Sequence, residues 1–217
     1  MKILVCAYRD WALDATEDLS LNLDTSLTVI RSQKDFLAID FSQSFDLCFF
    51  VGWSWVIPTE ILENSTCICV HPSPLPKYRG GSPIQNQVIA GESKSAVTFF
   101  KMTDKLDAGP VILQSEYSLD GYLDDILKRV SGITKEGVRE IISKYPNFNL
   151  IEQDETQATY FSRRTPEMSE ITRDELQSAS ARQLFNKIRC LQDPYPKAFI
   201  ECGDGTKLYL LKAETSE

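Results

Sequence analysis

Leu47-Cys48-Phe49-Phe50-Val51 is an unbroken apolar run that stops at Gly52, Pro58-Thr59-Glu60-Ile61-Leu62 follows, and Thr66-Cys67-Ile68-Cys69-Val70 runs straight into His71. Runs of four to eight apolar or β-branched residues suit strands covered on both faces, and proline is favoured at a helix start because its missing N–H would have no partner there. The stretch predicts strand, short helix, strand. Working back, Lys2 to Ala7 reads as a strand, Trp11 to Leu23 as a helix on Trp11, Ala12, Ala15 and Leu19, Leu27-Thr28-Val29-Ile30 as a strand and Lys34 to Ile39 as a short helix. Four buried strands separated by short helices imply an α/β, Rossmann-like, doubly wound and mostly parallel sheet. Such sheets bind ligands outside the carboxyl ends of their strands, where Gly52 and His71 fall. The first strand runs into Ala7-Tyr8-Arg9-Asp10 and not into a G-x-G-x-x-G turn, so a dinucleotide site is not expected there.

Working forward, Pro83 to Ala90 suits a helix ended by Gly91, and Ala96 to Phe100 and Val111 to Leu113 suit two more strands with Asp107 in their connection. A longer helix is expected from Leu123 to Tyr145, weakened by Gly132 and Gly137 and closed by Pro146-Asn147-Phe148-Asn149. A boundary placed there gives a catalytic domain over 1–150 and a small extension over 151–217. In the extension, Thr172-Arg173-Asp174-Glu175 is a capping box, and Leu176, Ala179, Leu184, Ile188 and Leu191 form one stripe of a single helix. It stops before Asp193-Pro194-Tyr195-Pro196, after which Lys197 to Cys202 and Lys207 to Lys212 flank Gly203-Asp204-Gly205 as a hairpin.

The 217 residues carry 31 acidic and 23 basic side chains, a formal charge of −8 that repels polyanions and disfavours a nucleic-acid partner. Arg163-Arg164 and Lys77-Tyr78-Arg79 are the local candidates for gripping a phosphate. The six cysteines lie mostly inside apolar runs and form no CxxC pair, so they read as buried free thiols of a reducing compartment, with no metal site expected. Without a signal-peptide pattern at the N-terminus or a long apolar span, a cytoplasmic protein with no membrane contact is expected.

The only histidine, His71, sits in His71-Pro72-Ser73-Pro74-Leu75-Pro76, and a carboxylate in a sharp turn, Asp107-Ala108-Gly109, follows it 36 positions later. Imidazole is the side chain best suited to accept and return a proton near neutrality, and a carboxylate against its far nitrogen fixes the tautomer and favours the imidazolium. Cys69 and His71 are two apart at a strand end and share a face.

Together, His71-Pro72-Ser73-Pro74-Leu75-Pro76-Lys77-Tyr78-Arg79-Gly80-Gly81 and Asp104-Lys105-Leu106-Asp107-Ala108-Gly109-Pro110-Val111-Ile112 resemble the two signatures of the folate-dependent formyltransferases. The resemblance extends to Gly52-Trp53-Ser54-Trp55-Val56-Ile57-Pro58, the counterpart of the loop that lines the pterin slot, and to Tyr160-Phe161-Ser162-Arg163-Arg164-Thr165-Pro166 with Asp193-Pro194-Tyr195-Pro196, a segment shared by methionyl-tRNA and sugar N-formyltransferases. It implies N10-formyltetrahydrofolate as donor, held by Gly52, Trp53, Ser54, Trp55, Val56, Ile57, Asp104 and Lys105. The catalytic set it implies is His71, Asp107 and the position of Cys69, and the acceptor would lie against Ser73, Lys77, Tyr78, Arg79, Gly80 and Tyr195. The acidic charge and the short tail point to the amine of a nucleotide-linked amino sugar as acceptor. A truncated methionyl-tRNA enzyme and a binding homologue impaired in catalysis stay open beside it, and the C-terminal helix or hairpin is the candidate surface for a homodimer. One position departs from the family: it carries asparagine two residues before the histidine, where this chain has Cys69. A thiol is a weak donor for the formyl oxygen; the alternative role for it is a nucleophile activated by His71.

Overall fold

Alternate residues of the first strands bury on opposite faces of one sheet, which is why their runs are apolar throughout. The computed structural model describes residues 1–17, 19, 24–40 and 45–216. It begins with β1 (Lys2–Cys6), α1 (Asp10–Asp14), β2 (Ser26–Ile30), α2 (Gln33–Leu37), β3 (Leu47–Val51), α3 (Thr59–Asn64) and β4 (Thr66–His71). There follow β5 (Arg79–Gly80), α4 (Pro83–Ile89), β6 (Lys94–Lys101), β7 (Val111–Ser118) and α5 (Leu123–Lys144). The main sheet has the order β2-β1-β3-β4-β6-β7, parallel from β2 to β4 and antiparallel beyond. The Rossmann-like architecture is therefore as expected.

Ile3, Val5, Leu47, Phe49, Val51, Ile68 and Val70 face one layer, with Trp11 and Ala12 of α1, Ile84 and Val88 of α4 and the buried stripe of α5. Leu4, Cys6, Cys48, Phe50 and Cys67 face the other, against Phe36 of α2 and Ile61 of α3. From β1 the chain steps one way to β2 and then returns past β1 to β3, so the order reverses between β1 and β3 and a crevice opens beyond their carboxyl ends.

The two glycines of α5 differ in surroundings and give a paired prediction. A Cβ on Gly132 would meet nothing within 4 Å, whereas one on Gly137 would fall 2.2 Å from Cζ of Phe99, a fully buried ring. Alanine gains about 1 kcal/mol over glycine inside a helix, and overpacking a core costs about 1–3 kcal/mol. Gly132→Ala should thus raise the urea midpoint and Gly137→Ala should lower it.

The remaining elements are β8 (Tyr160–Phe161), α6 (Arg173–Ser178), α7 (Ala181–Cys190), β9 (Phe199–Glu201) and β10 (Lys207–Tyr209). The single helix expected from Thr172 to Leu191 is two. Ser180 opens a second capping box, its hydroxyl accepting from the Gln183 N–H while the Gln183 side chain accepts from the Ser180 N–H, and this draws Ala179 into extended backbone. Leu176 is consequently left 48% exposed. The hairpin strands β9 and β10 are shorter than expected and pair antiparallel. The helix expected to Leu23 ends at Asp14, where both the N–H and the hydroxyl of Thr16 take the Leu13 carbonyl; positions 20–23 lie outside the described residues.

The chain after α5 does not stand apart from the sheet. Ile151 bridges to Val111, β8 pairs parallel with β5, and Ile171 donates to the Phe199 carbonyl. The β5–β8 crossing is tight: a Cβ on Gly80 would lie 2.2 Å from the Phe161 carbonyl oxygen, and one on Gly81 2.3 Å from Cα of Arg163. Glycine is required at both positions. All the cysteines are free, and no helix among the described residues is long and apolar enough to cross a membrane.

Candidate active site

The carboxyl ends of β1, β3 and β4 open on one cavity of about 940 Å³. His71 ends β4 and is 6% exposed. Its Nε2 lies 2.9 Å from the Tyr78 carbonyl, an acceptor only, so this ring nitrogen carries a hydrogen. Nδ1 faces Asp107 Oδ2 at 3.7 Å. A backbone carbonyl therefore sets the tautomer, where the sequence had suggested the carboxylate. Asp107 stands opposite the nitrogen left free to take a proton, and the imidazolium so formed would sit between two oxygens.

Asp107 occupies the left-handed region at φ +48°, a strained position for a residue with a side chain. The surroundings hold it there. Its Oδ2 accepts from the Gly80 N–H at 2.7 Å, and the Gln153 side-chain amide donates to the carbonyls of Asp107 and Gly109 at 2.9 and 2.7 Å. A Cβ on Gly109 would collide with the Lys101 carbonyl at 1.8 Å, so the turn lies flush against β6.

Cys69 lines the cavity beside His71, as their shared parity on β4 required. Burial pushes its thiol well above the ordinary cysteine range, and the Asp107 carboxylate adds to the effect. A neutral thiol is a poor nucleophile, which argues against covalent chemistry at this position.

Gly52, Trp53, Ser54, Trp55, Val56 and Ile57 line the cavity, and so do Asp104 and Lys105. Trp53 packs against Phe36, Tyr8 and Trp55, and its indole Nε1 is buried with no hydrogen-bond partner. Two indoles inclined at 68° to each other, one with an orphaned donor, fit a heterocycle that offers an acceptor. Gly80, Gln85, Arg163, Arg164, Arg9 and Tyr195 also line the cavity, Arg9 lying over Tyr8, which packs on Trp53 and Trp55. Gln85 is 3% exposed with Nε2 unpartnered, Nε of Arg164 is likewise buried and unpaired, and the Arg9 guanidinium lies 4.4 Å from the Tyr195 ring centre. These residues offer hydrogen-bond donors and positive charge.

Four residues expected at the acceptor do not line the cavity. The Ser73 hydroxyl is fully buried and donates to the Lys77 carbonyl at 2.8 Å, Lys77 points to solvent, and Tyr78 donates from its hydroxyl to Glu92 at 2.8 Å while stacking on Phe161. Arg79 is 0% exposed and spends its guanidinium on Gln153, Glu155 and Tyr160. Apart from Lys77, their polar groups are consumed within the turn after His71 and its supports, which a motif cannot display. Gln153, Gln85 and Arg9 were missed. The one signal for Gln153 was the long stretch after Pro146 without an expected element, a length that in compact domains usually marks a functional loop.

The formyl transferase family model matches residues 34–142. Over 188 residues the chain is 35% identical to the methionyl-tRNA formyltransferase of Thermotoga neapolitana, covering 82% of this chain and 58% of that protein. Among solved structures it superposes on methionyl-tRNA formyltransferase from Clostridium thermocellum with a TM-score of 0.82 at 28% identity, over 96% of each chain. A 4-N formyltransferase from Francisella tularensis shares the fold with a TM-score of 0.80 at 20% identity, over 100% of this chain and 98% of the other. The chain spans less than two thirds of the length of the first of these relatives. With the family model covering half of its residues and both signature motifs meeting in the one cavity, the chain belongs to the formyl transferase family.

Proposed function

We propose that this protein transfers a formyl group from N10-formyltetrahydrofolate to the amine of a nucleotide-linked amino sugar. The observation that carries the reading is the His71–Asp107 pair lining the same cavity as the Trp53–Trp55 loop and Arg163-Arg164. N10-formyltetrahydrofolate supplies the formyl carbon, and the wall formed by Gly52 to Ile57 with Asp104 and Lys105 would hold it. The attacking amine must lose a proton, and Nδ1 of His71 is the group free to take it. Asp107 then stabilises the positive ring by opposite charge. Negative charge developing on the formyl oxygen falls beside Cys69, a weak donor, so the site is expected to be slow.

The acceptor reading rests on charge and chemistry. A net −8 opposes a polyanion as large as tRNA, while Arg163, Arg164 and the free amide of Gln85 suit the oxygens of one small phosphorylated ligand. The identity to methionyl-tRNA formyltransferases favours a second reading, formylation of methionyl-tRNA. The test is formyl transfer from N10-formyltetrahydrofolate to a panel of nucleotide-linked amino sugars and, in parallel, to methionyl-tRNA at two salt concentrations. A formylated sugar is the expected product. Faster, steeply salt-dependent formylation of the tRNA would replace the acceptor, and transfer to neither would overturn the transferase reading.

A further inference from the structure

We infer that Gln153 is a positioning residue: through its side-chain amide it clamps the Asp107 turn and so sets the carboxylate against His71. The inference rests on the reading of His71 and Asp107 as the proton-handling pair.

The orientation of the amide is not arbitrary. Its Oε1 accepts from Arg79 Nε and Nη2 at 3.2 and 2.8 Å, and a guanidinium is a donor only. The NH₂ end must therefore face the other way, where it meets the carbonyls of Asp107 and Gly109, acceptors only. A flipped amide would break every one of these contacts. Arg79 is fixed in turn by Glu155, which accepts from Nη1 and Nη2 at 2.9 and 2.7 Å and holds the guanidinium charged, and by the Tyr160 hydroxyl at 2.6 Å.

The neighbours of Arg79 deliver the other half of the geometry. Tyr78, just before Arg79, gives its carbonyl to His71, and Gly80, just after, gives its N–H to the Asp107 carboxylate. The Arg79–Gln153 pair thus ties both ends of the dyad to one point, and it holds Asp107 in a backbone conformation costing on the order of 1–3 kcal/mol. At 3.7 Å the dyad has no direct hydrogen bond to hold it, so its spacing is left to these supports. Misplacement by about 1 Å in a site of this kind costs about 10²-fold in rate.

The experiment compares the full chain with Gln153→Glu and Gln153→Leu. Glutamate keeps an acceptor for Arg79 and loses the donor to the turn; leucine loses both. Because His71 is the only histidine, its ring ¹⁵N signals report the dyad without any acceptor being present. For Gln153→Glu the expected result is a lower melting temperature with the chain still folded at assay temperature, displaced His71 ring signals, and kcat for the best acceptor of the panel down about 10- to 100-fold with both KM values within about twofold. Gln153→Leu should repeat the loss and melt lower still. Parent-like His71 signals in Gln153→Glu overturn the inference, whether or not kcat falls, and so does a parent-like kcat. If the parent itself transfers no formyl group, the proposed function falls, and the ring signals still decide the clamp.

Discussion

His71→Ala is expected to lower kcat for formyl transfer by about 10²–10⁴-fold, the range supplied by a positioned general base. The ring lies at the edge of an open cavity and bonds only to the Tyr78 carbonyl, so alanine leaves space that water can enter and the fold should survive. KM for N10-formyltetrahydrofolate should change little, because the slot from Gly52 to Ile57 is built on a different strand end. Asp107→Asn should give a smaller loss: the amide oxygen can still accept from the Gly80 N–H, but the negative charge facing Nδ1 is gone. Steady-state kinetics with the donor and the best acceptor measure both. A variant lacking the imidazole that retains parent turnover would remove His71 from the chemistry.

Cys69→Asn is expected to raise kcat by about 10²–10³-fold, the usual worth of one well-placed donor to a developing oxyanion. The thiol faces the cavity beside His71 and is held neutral by burial and by Asp107, so it brings neither a strong hydrogen bond nor a nucleophile to the formyl group. Asparagine brings an N–H to the same place on the same strand face. The competing view is equally sharp, since a nucleophilic thiol replaced by an amide would end turnover altogether. Unchanged kcat would mean that some other group carries the oxyanion, with Cys69 only a filler of space.

Both predictions concern residues that the sequence displays openly, and the reason is local. Two-residue periodicity and runs such as Leu47 to Val51 follow from a strand's own geometry, so β1 to β4 and the shared face of Cys69 and His71 were readable without a structure. The Asp107 turn announced itself through Gly109 and Pro110. What lay hidden depends on chain segments meeting from far apart. Arg79 reads as a phosphate-gripping charge in Lys77-Tyr78-Arg79, and only the return of Gln153, Glu155 and Tyr160 turns it into a buried strut. The two-residue pairing of β5 with β8 has no periodicity to detect. At Ala179-Ser180 two signals competed, an apolar stripe and a second capping box, and the box won because Leu176, half exposed, gains little from a continuous helix.

The backbone crossing at Gly80 and Gly81 bears on how such a protein diversifies. Main chain rests on main chain there, with the Phe161 carbonyl accepting from the Gly81 N–H at 2.8 Å, so the path of residues 160–163 is fixed whatever side chains they carry. Arg163 and the adjoining Arg164 reach the cavity from that rail, and Tyr195 reaches it from a separate loop. On the proposed function, exchanging these side chains would change the lining offered to an acceptor while the backbone path and the His71–Asp107 spacing stay as they are.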